Sequence, residues 1–144
     1  MFKKILVPID IDHPQTTRAV YQRAAKIAEQ SGAEIQLVSV MPGFGMPIVA
    51  SYISADTRKE IVARLKGSLE EFIKNNCDKP VSYEVRTGKN WEVILKAAEK
   101  WAADLIVIYH DQRRDINEVH SGSCARRVAE NANCSVLWLR NISG

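Results

Sequence analysis

Apolar residues in this chain gather in short runs, separated by longer stretches in which they recur at helical spacing. Ile5-Leu6-Val7, Leu105 to Ile108 and Val136-Leu137-Trp138-Leu139 are too short for helices and nearly unbroken. A strand covered on both faces leaves that signature, as in parallel sheets. Glu34 to Val40 reads as a further strand. Val81, Tyr83 and Val85 alternate with polar residues, so the third strand in order belongs at or near an edge.

The stretches between predict four helices. Val20, Ala24, Ile27 and Ala28 share one face of the first, which Gly32 is placed to end in the left-handed conformation. Ile61, Leu65, Leu69, Phe72 and Ile73 face inward on the second, with Asp56 or Thr57 as its cap and Cys77-Asp78-Lys79-Pro80 as its break. Thr87-Gly88-Lys89-Asn90 turns into the third, which carries Trp91, Ile94, Leu95, Ala98 and Trp101. The fourth, from about Gly122, buries Cys124, Val128, Ala129 and Ala132. Strand and helix alternate throughout, without linker, low-complexity tract or repeat. The expectation is one α/β domain over residues 1–144, a mainly parallel sheet with helices on both faces.

Punctuation adds detail. Pro8 suits a strand exit, and Asp10, Asp12 and His13-Pro14 make a turn and cap before the first helix. Met41-Pro42-Gly43-Phe44-Gly45-Met46-Pro47 reads as an irregular loop whose apolar residues suggest that it lies over something.

Composition then narrows the classes. The chain has 144 residues, 46% of them hydrophobic, enough for one compact core without metals or disulfides. No secretory signal is apparent, and no apolar run approaches the roughly 20 residues needed to span a bilayer. Three cysteines, Cys77, Cys124 and Cys134, share no metal-ligand spacing and read as reduced thiols in a cytoplasmic protein, Cys124 and Cys134 as buried ones. The net charge of +3 is small and interspersed, so neither a nucleic-acid partner nor a membrane partner is expected.

Ligands of parallel sheets bind beyond the carboxyl ends of the strands, where the winding reverses. That singles out Asp10, Val40, Tyr109 and the start of the last helix, where unpaired N–H groups and the helix dipole favour an anion. Plainer roles compete. Ser121 or Ser123 can be an N-cap, Asp10 can cap or brace its turn, and Arg113-Arg114 and Arg126-Arg127 can be solvated surface. Trp91 and Trp101 read as core or dimer surface. His110, Asp111 and His120 fix no third ligand, so no metal is expected. No nucleophile–base pair or general acid can be assembled from the spacing, so an enzyme is not expected. A phosphoacceptor domain would need an aspartate after the third strand, where Thr87-Gly88-Lys89 stands.

Several segments resemble the universal stress protein (UspA) family. They are Lys3-Lys4-Ile5-Leu6-Val7-Pro8-Ile9-Asp10, Ala33 to Val40, the Gly88…Ile94…Ala97-Ala98 stretch, Ala103 to Val107, and Gly122-Ser123-x-Ala125-x-Arg127-Val128…Ala132-x-Cys134-x-Val136-Leu137…Arg140. The resemblance implies a five-stranded parallel sheet in the order 3-2-1-4-5, with the switch point between strands one and four. It implies a homodimer paired through the fifth strands, with Val136 and Trp138 in the interface. An unguarded Val-Leu-Trp-Leu edge supports pairing on physical grounds, unless a neighbouring loop covers it.

The family's ATP motif reads Gly-x-x-Gly, nine residues, Gly-Ser/Thr. Here Gly122-Ser123 and the nine residues Arg113 to Ser121 are present, while Tyr109 and Gln112 hold the two loop glycine places, leaving the motif degenerate. Glycine there permits positive φ and close approach to phosphate; a side chain either strains the loop or sends it along another path. The resemblance puts Pro8, Asp10, Val40, Ile108, Tyr109, Gln112, Gly122, Ser123 and Cys124 at the nucleotide. Arg113, Arg114 or Arg126 can replace lost backbone donors. Two readings stay open: a stress-response or regulatory module binding ATP or another adenine nucleotide with Mg, and an interaction protein with a vestigial site that engages a signalling or client protein.

Overall fold

The computed structural model describes residues 1–41, 54–110 and 119–142. Strands β1 (Lys4–Ile9), β2 (Glu34–Met41), β3 (Ser82–Thr87), β4 (Leu105–Tyr109) and β5 (Ser135–Leu139) form one parallel sheet in the order β3-β2-β1-β4-β5. The helices are α1 (Pro14–Ser31), α2 (Ala55–Asn76), α3 (Asn90–Trp101) and α4 (Gly122–Asn131). The α/β class and strand order are those expected, and β3 is an edge as its alternation predicts.

Successive strand residues face opposite sides of the sheet. Ile5, Val7 and Ile9 therefore enter one core with Val20, Tyr21, Leu69 and Phe72. Leu6 enters the other with Val38, Ile94, Ile106, Ile108 and Val128. Helices α1 and α2 cover the first face; α3 and α4 cover the second. Tyr21 meets Phe72 edge-on, with ring centroids 6.4 Å apart. Gly32 closes α1 at φ 70° as expected.

Several local expectations are corrected. Helix α2 is capped by Ser54, whose Oγ accepts the Thr57 N–H at 3.1 Å, and not by Asp56 or Thr57. Met41, expected to open the loop, is instead the buried last residue of β2; Pro42–Pro47 lie outside the described residues. Ile27 is only half-buried, and Tyr21 fills the α1 core position more deeply. Ala129 is exposed, because the buried stripe of α4 runs through Cys124, Ala125 and Val128. Cys134 is half-buried; all three cysteines are free.

The central seam between β1 and β4 positions the site. Strand β1 pairs with β2 from Lys4 to Ile9, but with β4 only at Ile5↔Leu105 and Leu6↔Ile106. Lys4 turns its carbonyl to β4, where the Asp104 N–H donates to it at 2.9 Å. Peptide groups two residues apart share a side of the strand, so Leu6 and Pro8 face β4 too. Pro8 has no N–H to give. The ladder thus stops where proline interrupts it, short of the carboxyl ends of the two strands. At the amino end the seam is shut by the Asp104 carboxylate, which accepts the Lys3 and Lys4 N–H groups at 2.8 and 2.9 Å.

Candidate functional site at the sheet switch point

Beyond the open end of the seam, β1 delivers Asp10. Its backbone N–H and carbonyl are both engaged by the Thr17 hydroxyl, at 3.1 and 2.7 Å. One carboxylate oxygen accepts the Asp12 N–H at 3.0 Å, and the other lies 3.0 Å from His13 Nδ1. His13 is the N-cap position of α1, with Pro14 in the first turn, but its side chain makes no cap bond. The plainer role proposed for Asp10, bracing this turn, is therefore realised. Each carboxylate oxygen carries two acceptor sites, so the brace leaves acceptor capacity on both.

The opposite wall is the start of α4. Ser121 is the N-cap: its Oγ accepts the Cys124 N–H at 3.1 Å and lies 3.3 Å from Ser123 Oγ. The first ordinary helical bond runs from Ala125 N–H to the Ser121 carbonyl, at 3.1 Å. That leaves Gly122 and Ser123 N–H groups without acceptors among the described residues, at the positive end of the helix dipole. Cys124 points into the core and is 1% exposed; burial pushes its thiol up to about 12, so it remains protonated.

His110 stands directly against this helix start. A methyl group built on Gly122 would meet its imidazole Cε1 at 3.0 Å and Cδ2 at 3.1 Å, with Nε2 nearer still. Only glycine leaves the ring that room. The ring tilts over Trp138 of β5 with centroids 5.3 Å apart, and the Arg140 guanidinium sits 5.1 Å from the other partner of that stack, the Trp138 ring. Behind His110, the buried His120 packs edge-on against Tyr109 at 5.7 Å.

Tyr109 itself answers the question of the missing glycine. It is the last residue of β4, paired with Leu139, and its φ is not positive. The next N–H, that of His110, donates to the Leu139 carbonyl at 3.0 Å. The chain here follows an ordinary strand path rather than a strained one; Asp111 to Glu118 lie outside the described residues.

Of the residues expected at the site, Asp10, Val40, Tyr109, Gly122 and Ser123 line the open end with partial exposure, while Pro8, Ile108 and Cys124 are buried supports beneath it. Gln112, Arg113 and Arg114 lie outside the described residues; Arg126 is exposed on α4. Val136 and Trp138 are half-buried on the edge strand β5. Trp91 and Trp101 pack against the second core, beneath Arg127 and Lys4 respectively. The sequence reading passed over His110 as a site wall and His13 as the partner of Asp10. The signal for the second was present: three residues separate them across a turn. Among the described residues no cluster of His, Cys, Asp or Glu could hold a metal, and no helix is long and apolar enough to cross a membrane.

Similarity to known proteins agrees with this geometry. A solved universal stress protein in complex with cAMP covers 98% of this chain and 98% of its own, at 18% identity and a TM-score of 0.66. An Archaeoglobus fulgidus universal stress protein in complex with dAMP covers 94% and 96%, at 22% identity and a TM-score of 0.57. At these identities the likeness is one of fold. A universal stress protein of Methanocaldococcus jannaschii is 30% identical over 148 residues, spanning 97% of this chain and 83% of that protein. The profile described as "Universal stress protein family" matches residues 1–140. A sheet wound 3-2-1-4-5, the Gly122-Ser123 helix start and these matches together place the chain in the universal stress protein family.

Proposed function

We propose that this chain is a stress-response or regulatory module of the cytoplasm that binds an adenine nucleotide at the β1/β4 switch point and acts by binding, with slow ATP turnover at most. One observation carries the reading: the β1–β4 ladder ends before Pro8, at the end of the sheet that carries Asp10 and the α4 start, where two N–H groups have no acceptor among the described residues. An anion is favoured at that helix start, and the Asp10 carboxylate has acceptor capacity for a ribose hydroxyl. Val40 supplies apolar surface for a base, with the buried Ile108 as support beneath. Fold neighbours complexed with cAMP and dAMP make the ligand class plausible. Magnesium would accompany ATP. The protein works as a homodimer joined through β5, whose Val136-Leu137-Trp138-Leu139 edge has no lysine or proline to guard it, and it signals to a protein partner.

A second reading, a family member with a vestigial site that works through protein contacts alone, is favoured by the His110 ring over Gly122 and by the commitment of Asp10 to its turn. The two separate cleanly. Purified protein is denatured, its supernatant analysed for adenine nucleotide, and fresh protein titrated with ATP and magnesium by calorimetry. Nucleotide release or measurable heat supports the first reading; silence in both leaves the second. Val136→Lys should give monomers in light scattering, and an unchanged oligomer would remove β5 from the interface.

A further inference from the structure

We propose that the cleft between the C-terminal ends of α3 and α4 is a separate small-molecule site, which takes a primary amine carried on a short apolar chain. It lies at the amino ends of β4 and β5, across the sheet from the proposed nucleotide site, and stands independently of that reading.

The cleft has a volume of about 390 Å³, within the range of about 300–1,000 Å³ that small ligands occupy. Leu95, Ala98, Ala103 and Ile106 give it an apolar lining, with Ala98 and Ile106 buried. Glu99, Asn131 and Asn133 add polar groups, and among the described residues that line it Glu99 alone is charged at neutral pH. Cys134 completes the wall as a neutral thiol, pushed up by burial and by the Asp104 carboxylate. A comparable cleft of about 420 Å³, between α1 and the approach to β3, sets Lys26 and Lys79 against Glu29 and Asp78 and so favours neither sign of charge.

The backbone adds to this asymmetry. Both helices end on the cleft, α3 at its C-cap Ala102 and α4 at Asn131 and its C-cap Ala132. A helix C-terminus carries roughly half a negative charge. The α3 end is compensated: Lys100 lies in its last turn, and Lys4 Nζ donates to the Trp101 carbonyl at 3.2 Å. The α4 end has no basic residue in its last turn. There the Ala132 N–H donates to the Val128 carbonyl at 2.9 Å and Asn131 Nδ2 to the Arg127 carbonyl at 2.8 Å. The carbonyls of Ala129, Glu130 and Asn131 receive no hydrogen bond among the described residues. An ammonium group at this end meets a carboxylate and carbonyl acceptors while its chain lies on the apolar lining. A hard metal ion would need about six oxygens or more, and no cluster that could hold a metal exists among the described residues. The cleft therefore suits an organic cation.

The test uses the full chain, titrated at one ionic strength with hexylammonium, hexan-1-ol and hexanoate, and followed by backbone amide shifts in NMR spectra. Hexylammonium should bind about tenfold more tightly than hexanol and hexanoate more weakly than either, with the largest shifts in residues 95–106 and 131–134. Glu99 and Asn131 are exposed, so their variants should fold. Glu99→Gln should lower hexylammonium affinity about threefold, and Asn131→Lys, which gives α4 its missing cation, by about as much, with hexanol unchanged in both. Ala103→Leu narrows the apolar lining and should weaken hexylammonium and hexanol together. Absent hexylammonium binding overturns the proposal, as do equal affinities for hexanol and hexylammonium, or largest shifts elsewhere. So does an unchanged hexylammonium affinity in both charge variants. Potassium chloride that reproduces the hexylammonium shifts would mark a site for any cation and overturns it as well.

Discussion

The two ends of the β1–β4 seam are built from the same pair of strands and could hardly differ more. At the amino end a single carboxylate, Asp104, accepts the backbone N–H groups of Lys3 and Lys4, the Asp104 N–H returns a bond to the Lys4 carbonyl, and Lys4 Nζ donates to the Trp101 carbonyl at 3.2 Å. At the carboxyl end Pro8 withholds the next ladder bond, and the chain ends there carry the polar groups of Asp10, Ser121 and Ser123. One end spends its polar groups on holding strands together. The other places a proline where the ladder stops, and the α4 start at that end keeps two N–H groups without acceptors among the described residues. The site proposed above for a nucleotide lies where the ladder is stopped short.

The difference holds only if both ends hang on a firm middle. Ile106, paired with Leu6 at the last rung, is fully buried between the strands and α3–α4. Ile106→Ala should cost about 3 kcal/mol through lost transfer energy and a cavity, read as a lower urea midpoint with the same slope. A loss under about 1 kcal/mol would mean that the ends, not the middle, hold the seam.

Asp104→Asn tests the shut end and should cost about 1.5 kcal/mol, since one amide oxygen cannot replace two charged acceptors. Burial alone would raise the Asp104 pKa, but the Lys4 and Lys3 N–H groups outweigh it and hold the carboxyl below the usual carboxylate range. The folded state therefore binds this proton less readily than the unfolded state does. The stability Asp104 supplies is present above the ordinary carboxylate pKa and is lost as pH falls through its lowered folded value. Melting temperatures of wild type and variant should be well separated at neutral pH and converge in acid. A gap independent of pH would deny the charged clamp.

At the open end, Ser121→Ala removes the N-cap and should cost about 1 kcal/mol. It also releases the Cys124 N–H, adding a donor to the α4 start, so anion affinity should hold or rise while thermal stability falls. A parallel loss of both would show that the cap orients the helix start as well as stabilising it.

Much of this scaffold was legible in the residues. Short apolar runs gave the strands because a strand covered on both faces has no polar side, and Gly32 marked a helix end because its φ of 70° suits no branched side chain. The strand order was implied only by the family resemblance. Boundaries failed where several neighbours had equal chemistry: Ser54, Asp56 and Thr57 can all cap, and the choice depends on where the chain arrives. Met41 looked like loop beside Pro42, but β3 pairs with it through Thr87 and extends β2. Asp10 and Gly122-Ser123 could be placed by spacing. The meeting of His110 with Gly122 could not, because sheet register brings β4 against the start of α4 and no local pattern encodes that approach. Trp138, expected at a subunit edge, also backs His110, a second duty invisible to alternation alone.

The smallest expected effect is the most pointed. Pro8→Ala restores an N–H directed at β4 while removing little buried surface, and its stability should change by under about 0.5 kcal/mol, because a new hydrogen bond and a freer unfolded chain act in opposite senses. Stability is therefore the wrong readout. If proline alone stops the ladder, the new amide at position 8 should be strongly protected in hydrogen exchange and the ladder should run on, weakening any adenine ligand that the wild type binds. If the amide exchanges freely, the strands are held apart by what lies between them, the braced Asp10 turn on one side and the His110–Trp138 stack on the other. Pro8 would then accommodate a gap that these polar elements create, and the cause of the open end would lie in its walls.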